Sequence, residues 1–199
     1  RNGRFLTGLI PRIDQYCQRK NIPFVYDHLD PLLPDKDPFL PGITFREDQL
    51  KLLSSIPLYQ RGIIKSPTGS GKTVLAGAVC SMYTRSNILF LCNTLDLLNQ
   101  TYEAFIEWGF GNVVSLGGGA DKNAFTWDDG NGRVIVVSTI QTFSNYDLAA
   151  YADFFDIIII DEAHHLSEAK SLFAQLLNRS LAPIRIGLTA TPPKEKEIR

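Results

Sequence analysis

Residues Gly62–Tyr83 read GIIKSPTGSGKTVLAGAVCSMY, and three patterns meet in them. Gly62–Lys65 is short and β-branched, as in a buried strand, whereas Lys72–Tyr83 carries its apolar residues at helical spacing. Between them lies a glycine loop, Ser66-Pro67-Thr68-Gly69-Ser70-Gly71. Gly69 and Gly71 free the backbone to turn successive N–H groups toward an anion, and the helix that follows adds the partial positive charge of its N-terminus. Lys72 then reaches the β- and γ-phosphates, and the Thr73 hydroxyl is placed to ligate Mg²⁺. Pro67, Thr68, Gly69, Ser70, Gly71, Lys72 and Thr73 are the expected nucleotide contacts. Ser66 stands where the general pattern carries glycine, a departure that removes no phosphate-binding group.

A phosphate loop needs an acidic partner on a neighbouring strand. Phe154–His165, FFDIIIIDEAHH, supplies it. Its four isoleucines make a strand buried on both sides, and Asp161 and Glu162 emerge at the C-terminal end, the edge where open α/β sheets bind ligands. Asp161 is placed to hold Mg²⁺, and Glu162 to orient and deprotonate an attacking water. His164 and His165 are adjacent, so they face different ways, and no third ligand stands at metal spacing; oxygen-bound Mg²⁺ is favoured over zinc.

The rest of the chain fits an α/β domain. Strand-like runs at Gly62–Lys65, Asn87–Cys92, Arg133–Ser138, Asp156–Ile160 and Ile184–Leu188 alternate with helical runs at Arg46–Ile56, Lys72–Tyr83, Leu95–Trp108, Thr142–Tyr151 and Leu166–Leu177. This alternation predicts a mostly parallel sheet with helices on both faces. On the Leu95–Trp108 helix, Leu98, Tyr102, Phe105 and Ile106 are expected in the core. Ala120–Gly132 reads as an exposed loop. Asp30–Pro41, DPLLPDKDPFLP, reads as an extended linker. Residues 1–29 ahead of it, with helical spacing over Leu9–Arg19 and a strand-like Pro23–Tyr26, read as part of a small α+β accessory domain. The ATP-binding domain then covers 42–199. Arg1 in place of methionine and the charged end at Lys194–Arg199 mark the chain as a fragment.

With 20 Lys and Arg against 21 Asp and Glu, no global basic field announces nucleic acid, so any such binding is local. Cys17, Cys80 and Cys92 are too scattered for a disulfide framework and suit a reducing compartment. Asn99 and Asn178 begin glycosylation triplets that would matter only in a secreted chain. No apolar run approaches the roughly 18 residues of a membrane helix. The expectation is a soluble, cytoplasmic, monomeric protein without membrane contact.

Taken together, SPTGSGKT, DEAHH and Leu188-Thr189-Ala190-Thr191-Pro192 resemble motifs I, II and III of the superfamily 2 DExH helicases and translocases, in the family's order. The resemblance implies a RecA-like P-loop lobe with ATP and Mg²⁺ as ligands, and a second RecA-like lobe of the same chain that supplies arginines. Without that lobe the fragment is expected to be poorly active. Phe45-Arg46-Glu47-Asp48-Gln49 is similar to the family's adenine-reading segment, with Gln49 and Arg46 matching and Glu47-Asp48 replacing the usual Pro-aromatic pair. Thr94, after Leu91-Cys92-Asn93, Gly118 in Gly117-Gly118-Gly119, and Thr139 and Gln141 in STIQT resemble the family's nucleic-acid contacts. Such residues meet phosphates through N–H and OH groups without net charge. His164, Thr189 and Thr191 take the family's coupling roles.

Asn2–Ile10, the linker and the Arg-Gln segment look like the front of phage UvsW-type DNA helicases. The expected function is an ATP-dependent DNA helicase or translocase acting on single-stranded, branched or duplex DNA, in a phage-like setting. Three alternatives stay open: the duplex translocase subunit of a restriction-type complex, an RNA helicase, and a non-enzymatic nucleic-acid-binding module.

Overall fold

The structure, a computed structural model, describes residues 10–23, 31–67, 69–118, 132–146, 151–164 and 172–191. His28, Thr68, Gly119, residues 120–131 of the loop expected over Ala120–Gly132, and His165 lie outside these. The chain divides into two units, 1–31 and 32–199. In the first, α1 (Ile10–Arg19) ends on Arg19, a cation where the helix dipole favours one. Pro23 is irregular, and the rest of the strand expected there falls outside the described residues.

The second unit runs α2 (Glu47–Tyr59), β1 (Arg61–Lys65), α3 (Lys72–Met82), β2 (Ile88–Cys92), α4 (Leu95–Glu107), β3 (Val113–Leu116), β4 (Ile135–Thr139), α5 (Ile140–Phe143), β5 (Ile157–Asp161), α6 (Leu172–Arg179) and β6 (Ile184–Thr189). The strands form one six-stranded sheet, β1-β6-β5-β2-β4-β3, and every pairing is parallel. Every residue of β2, β4 and β5 is buried. Alternate side chains feed two cores, as the period of a strand requires. Ile88, Phe90, Ile157, Ile159 and Ile186 meet Leu53 of α2, Val79 of α3 and Phe105 of α4. Leu89, Leu91, Ile158 and Ile160 meet Phe143 of α5 and Phe173 and Leu176 of α6. Each buried isoleucine of β5 contributes about 1.5–3 kcal/mol against exposure, which fixes the strand that carries the acidic pair.

Residues 32–40 are irregular, with a bend at 35–36, and are fixed to this unit. The Asp35 and Lys36 N–H groups both donate to Met82 O (2.8 and 3.2 Å). The Asp35 carboxylate accepts from Arg85, and Leu40 is 1% exposed.

Three expectations are corrected. β3 was not anticipated, because its four residues, VVSL, stand among glycines and are too few to show alternation. The helix expected over Thr142–Tyr151 is instead α5, which starts at Ile140 because Thr139 caps it directly at the strand end, and gives way to turn at Ser144. Leu98 and Phe105 are buried, but Ile106 is 46% exposed and leaves the core, its position on α4 facing away from the sheet. Among the described residues, no helix is long and apolar enough to cross a membrane.

Candidate nucleotide site and nucleic-acid rim

All the predicted residues that the structure describes lie along the C-terminal edge of the sheet. The phosphate loop leaves β1, Asp161 closes β5 and Thr189 closes β6, three adjacent strands. In the loop, Gly69 and Gly71 take left-handed backbone (φ +76° and +89°) that L side chains rarely adopt, and Gly71 is the N-cap of α3. Lys72 and Thr73 follow on the first turn, both half-buried.

Lys72 Nζ contacts Glu162 Oε1 and stands 3.5 Å from Asp161 Oδ1. Burial opposes its charge, but the two carboxylates outweigh it and leave the ammonium pKa raised. Asp161 is raised too: burial disfavours its charge more strongly than Lys72 favours it. Glu162 has φ +54°, uncommon for a residue with a Cβ and the kind of strain that clusters at functional sites. Its N–H donates to Asp161 Oδ1 at 2.9 Å. His164 Nδ1 lies 3.2 Å from Glu162 Oε2 and 3.3 Å from Thr189 Oγ1, and Thr189 Oγ1 accepts the Thr191 N–H at 3.2 Å. Lys72, Glu162, His164, Thr189 and Thr191 thus form one unbroken chain of polar contacts.

A buried carboxylate with a raised pKa lowers the stability of the protein above the unfolded value of 3.8. The isosteric neutral variant Asp161→Asn is therefore expected to melt above the wild type at pH 7. The gap closes as pH falls through the raised folded value and past 3.8, below which the wild-type group is protonated in both states. Thermal melts at stepped pH check this, and an Asn variant melting lower at pH 7 sinks it.

Arg46 and Gln49 also come to the loop. Gln49 is 4% exposed; its Oε1 accepts the Arg46 N–H at 3.0 Å and its Nε2 donates to Ser70 O at 3.3 Å. Arg46 Nη2 donates to the same carbonyl at 3.0 Å, while Asp48 holds the guanidinium from the other side. Sequence reasoning did not anticipate this use of the pair, nor Gly187 of β6, where a Cβ would stand 2.6 Å from Ala163 Cβ. Only the missing side chain lets the segment after Asp161 pack on β6.

The other half of the edge, the ends of β2, β4 and β3, gathers the nucleic-acid candidates. Thr94 is exposed and caps α4, accepting the Leu97 N–H at 3.3 Å. Gly118 is exposed, with φ +64°, and Gln141 is exposed on α5. Thr139 is only 5% exposed and uses its hydroxyl to cap α5 and to meet Thr142 Oγ1 at 2.9 Å. Along residues 92–97, 116–118 and 139–146 the single charged side chain is Asp96.

The donor chemistry fits a nucleotide with Mg²⁺: a glycine cradle at a helix start, one half-buried lysine, a hydroxyl and a carboxylate, oxygen donors of the kind Mg²⁺ takes together with phosphate. Loop, strand-end acids and linked threonine on one edge of an all-parallel sheet define the first RecA-like lobe of a superfamily 2 helicase or translocase. The sequence profile described as "Type III restriction enzyme, res subunit" matches residues 42–194, and the chain belongs to that family.

Over 167 residues it is 32% identical to the DNA 3'-5' translocase XPB2 of Sulfurisphaera tokodaii, covering 83% of this chain and 33% of that protein. Over 154 residues it is 30% identical to Putative helicase 22 of Sulfolobus islandicus filamentous virus, covering 72% and 26%. The chain thus spans a third or less of the curated relatives it matches. In fold it is similar to the UvsW helicase of bacteriophage T4, with TM-score 0.70, 19% identity, and 92% of this chain and 71% of that one covered. It is also similar to the Sulfolobus solfataricus SWI2/SNF2 ATPase core in complex with dsDNA, with TM-score 0.66, 19% identity, and 79% and 34% covered.

Proposed function

We propose that this lobe binds ATP with Mg²⁺ and couples its hydrolysis to movement along DNA. The observation that carries the proposal is the continuous contact chain from Lys72 through Glu162 and His164 to Thr189 and Thr191, since it joins the phosphate-binding residue to the candidate base and to the end of β6. Gly69, Gly71 and Lys72 hold the phosphates, and Thr73 and Asp161 hold Mg²⁺, which when bound neutralises phosphate charge. Glu162 orients water and takes its proton. Lys72 must exchange its carboxylate partners for phosphate, which frees Glu162 for that work and alters what His164 bridges. DNA lies across Thr94, Gly118 and Gln141, with Thr139 shaping the rim from beneath. A second lobe supplying an arginine to the phosphates completes the reading.

The resemblance to XPB2, named a DNA translocase, favours DNA over RNA; a second reading is translocation on duplex without strand separation. The test is the ATPase rate of the full-length protein titrated in parallel with single-stranded, duplex and branched DNA and with RNA. Stimulation by single-stranded or branched DNA is the expected result, and duplex-only stimulation selects the second reading. Stimulation by RNA alone overturns the DNA assignment, and no stimulation at all overturns the motor.

A further inference from the structure

Ser70 is expected to meet the nucleotide through the backbone N–H groups of the loop, which leaves its hydroxyl and that of Ser66 to be accounted for. Ser66 is 5% exposed, and its Oγ and that of Ser70 hydrogen-bond to each other, while Ser70 Oγ also donates to Pro67 O. A hydroxyl has one hydrogen to give. Because the hydrogen of Ser70 goes to Pro67 O, Ser66 must be the donor to Ser70 Oγ. The bonds therefore form a one-way relay from Ser66 through Ser70 to the Pro67 carbonyl. Around it the backbone is held as well: Ser70 N–H donates to Pro67 O at 3.1 Å and Ser66 N–H to Thr189 O at 2.8 Å.

The peptide that follows Ser70 is held by a second set of bonds. The Ser70 carbonyl is drawn outward by Arg46 Nη2 and Gln49 Nε2. In a planar trans peptide the C=O and the following N–H point in opposite directions. Pulling that carbonyl out turns the Gly71 N–H inward, the sense in which an anion is received.

We infer that Ser66 and Ser70 are positioning residues whose hydroxyl relay sets the loop in its phosphate-receiving form before nucleotide arrives. The inference rests on the nucleotide reading. Its physical content is pre-organisation, because a loop already ordered spends less of the binding energy on its own ordering.

The test uses the full-length protein as wild type, Ser66→Ala, Ser70→Ala and the double variant. Two readouts are taken: hydrogen–deuterium exchange over residues 66–75 without nucleotide, and equilibrium binding of a fluorescent N-methylanthraniloyl-ADP with Mg²⁺. Each single variant is expected to speed exchange in the loop and to weaken binding about three- to tenfold, the effect of one net hydrogen bond. The double variant should be no worse than the worse single one, because both serines serve one relay. A merely structural defect would add across the two sites and lower the melting temperature instead. Unchanged exchange and binding in the single variants, additive losses, or tighter binding overturn the relay. If the wild type itself fails to bind the probe, the nucleotide reading falls, and the exchange measurement alone decides the relay.

Discussion

In the full-length protein, Glu162→Gln is expected to lower ATP turnover by about 10²- to 10⁴-fold, the span associated with loss of a general base, with nucleotide still bound. The substitution keeps the size of the side chain and removes only the carboxylate that takes the proton. In the nucleotide-free protein that carboxylate is held by Lys72 on one oxygen and by His164 on the other. A nucleotide has to draw Lys72 away from it. Glutamine gives the lysine a weaker partner, so affinity should be unchanged or higher even as turnover collapses. Single-turnover hydrolysis together with nucleotide binding reads both effects. Turnover within tenfold of wild type removes Glu162 as the base, and a parallel loss of binding makes it a phosphate-site residue instead.

The second large effect comes from Gly187→Ala. The added methyl would lie 2.6 Å from Ala163 Cβ and 3.4 Å from Ile63 Cγ1. Ala163 is fully buried and its Cβ belongs almost to the backbone, so no flexible side chain can swing away. Overpacking of this kind costs about 1–3 kcal/mol, which at roughly 2–4 °C per kcal/mol for a domain of this size lowers the melting temperature by several degrees. The loss of turnover should be larger than stability explains. Displacing Ala163 moves the acidic pair just before it, and a misplacement of about 1 Å at a reacting centre costs on the order of 10²-fold. Adding Ala163→Gly should recover much of both losses. A Gly187→Ala protein that melts and turns over like wild type would falsify this account of the contact.

Much of this was legible in the chain because several signals agreed. IIIIDE announces a buried strand ending in carboxylates, and the glycine loop between a strand and a helix admits few readings. Those segments fall where expected to within a residue or two. What escaped notice depended on partners distant in sequence. Ser66 reads as a tolerated departure from a pattern until Ser70 is seen beside it. Gln49 reads only as a residue that faces a base, with no sign in the sequence that its amide also sits between the Arg46 N–H and the Ser70 carbonyl. Gly187 sits in an apolar run, IRIGLT, where nothing local says that another segment leans on it. The missed β3 and the displaced α5 have a different cause: short elements are fixed by the sheet they join and the cap they start from, more than by their own periodicity.

The single sheet has a mechanical consequence. β5, which ends in Asp161, is paired with β2, which leads to Thr94, from Ile88↔Ile157 to Leu91↔Ile160, so the candidate nucleotide residues and the candidate nucleic-acid residues of the edge belong to one hydrogen-bonded slab. A slab of this kind does not shear internally, since sliding one strand past its neighbour would break the ladder along its whole length. Chemistry at Asp161 therefore cannot walk Thr94 along a strand while the rest of the lobe stays still. On the proposed function the lobe serves as an anvil, and a stroke powered by nucleotide would be the swing of this entire body.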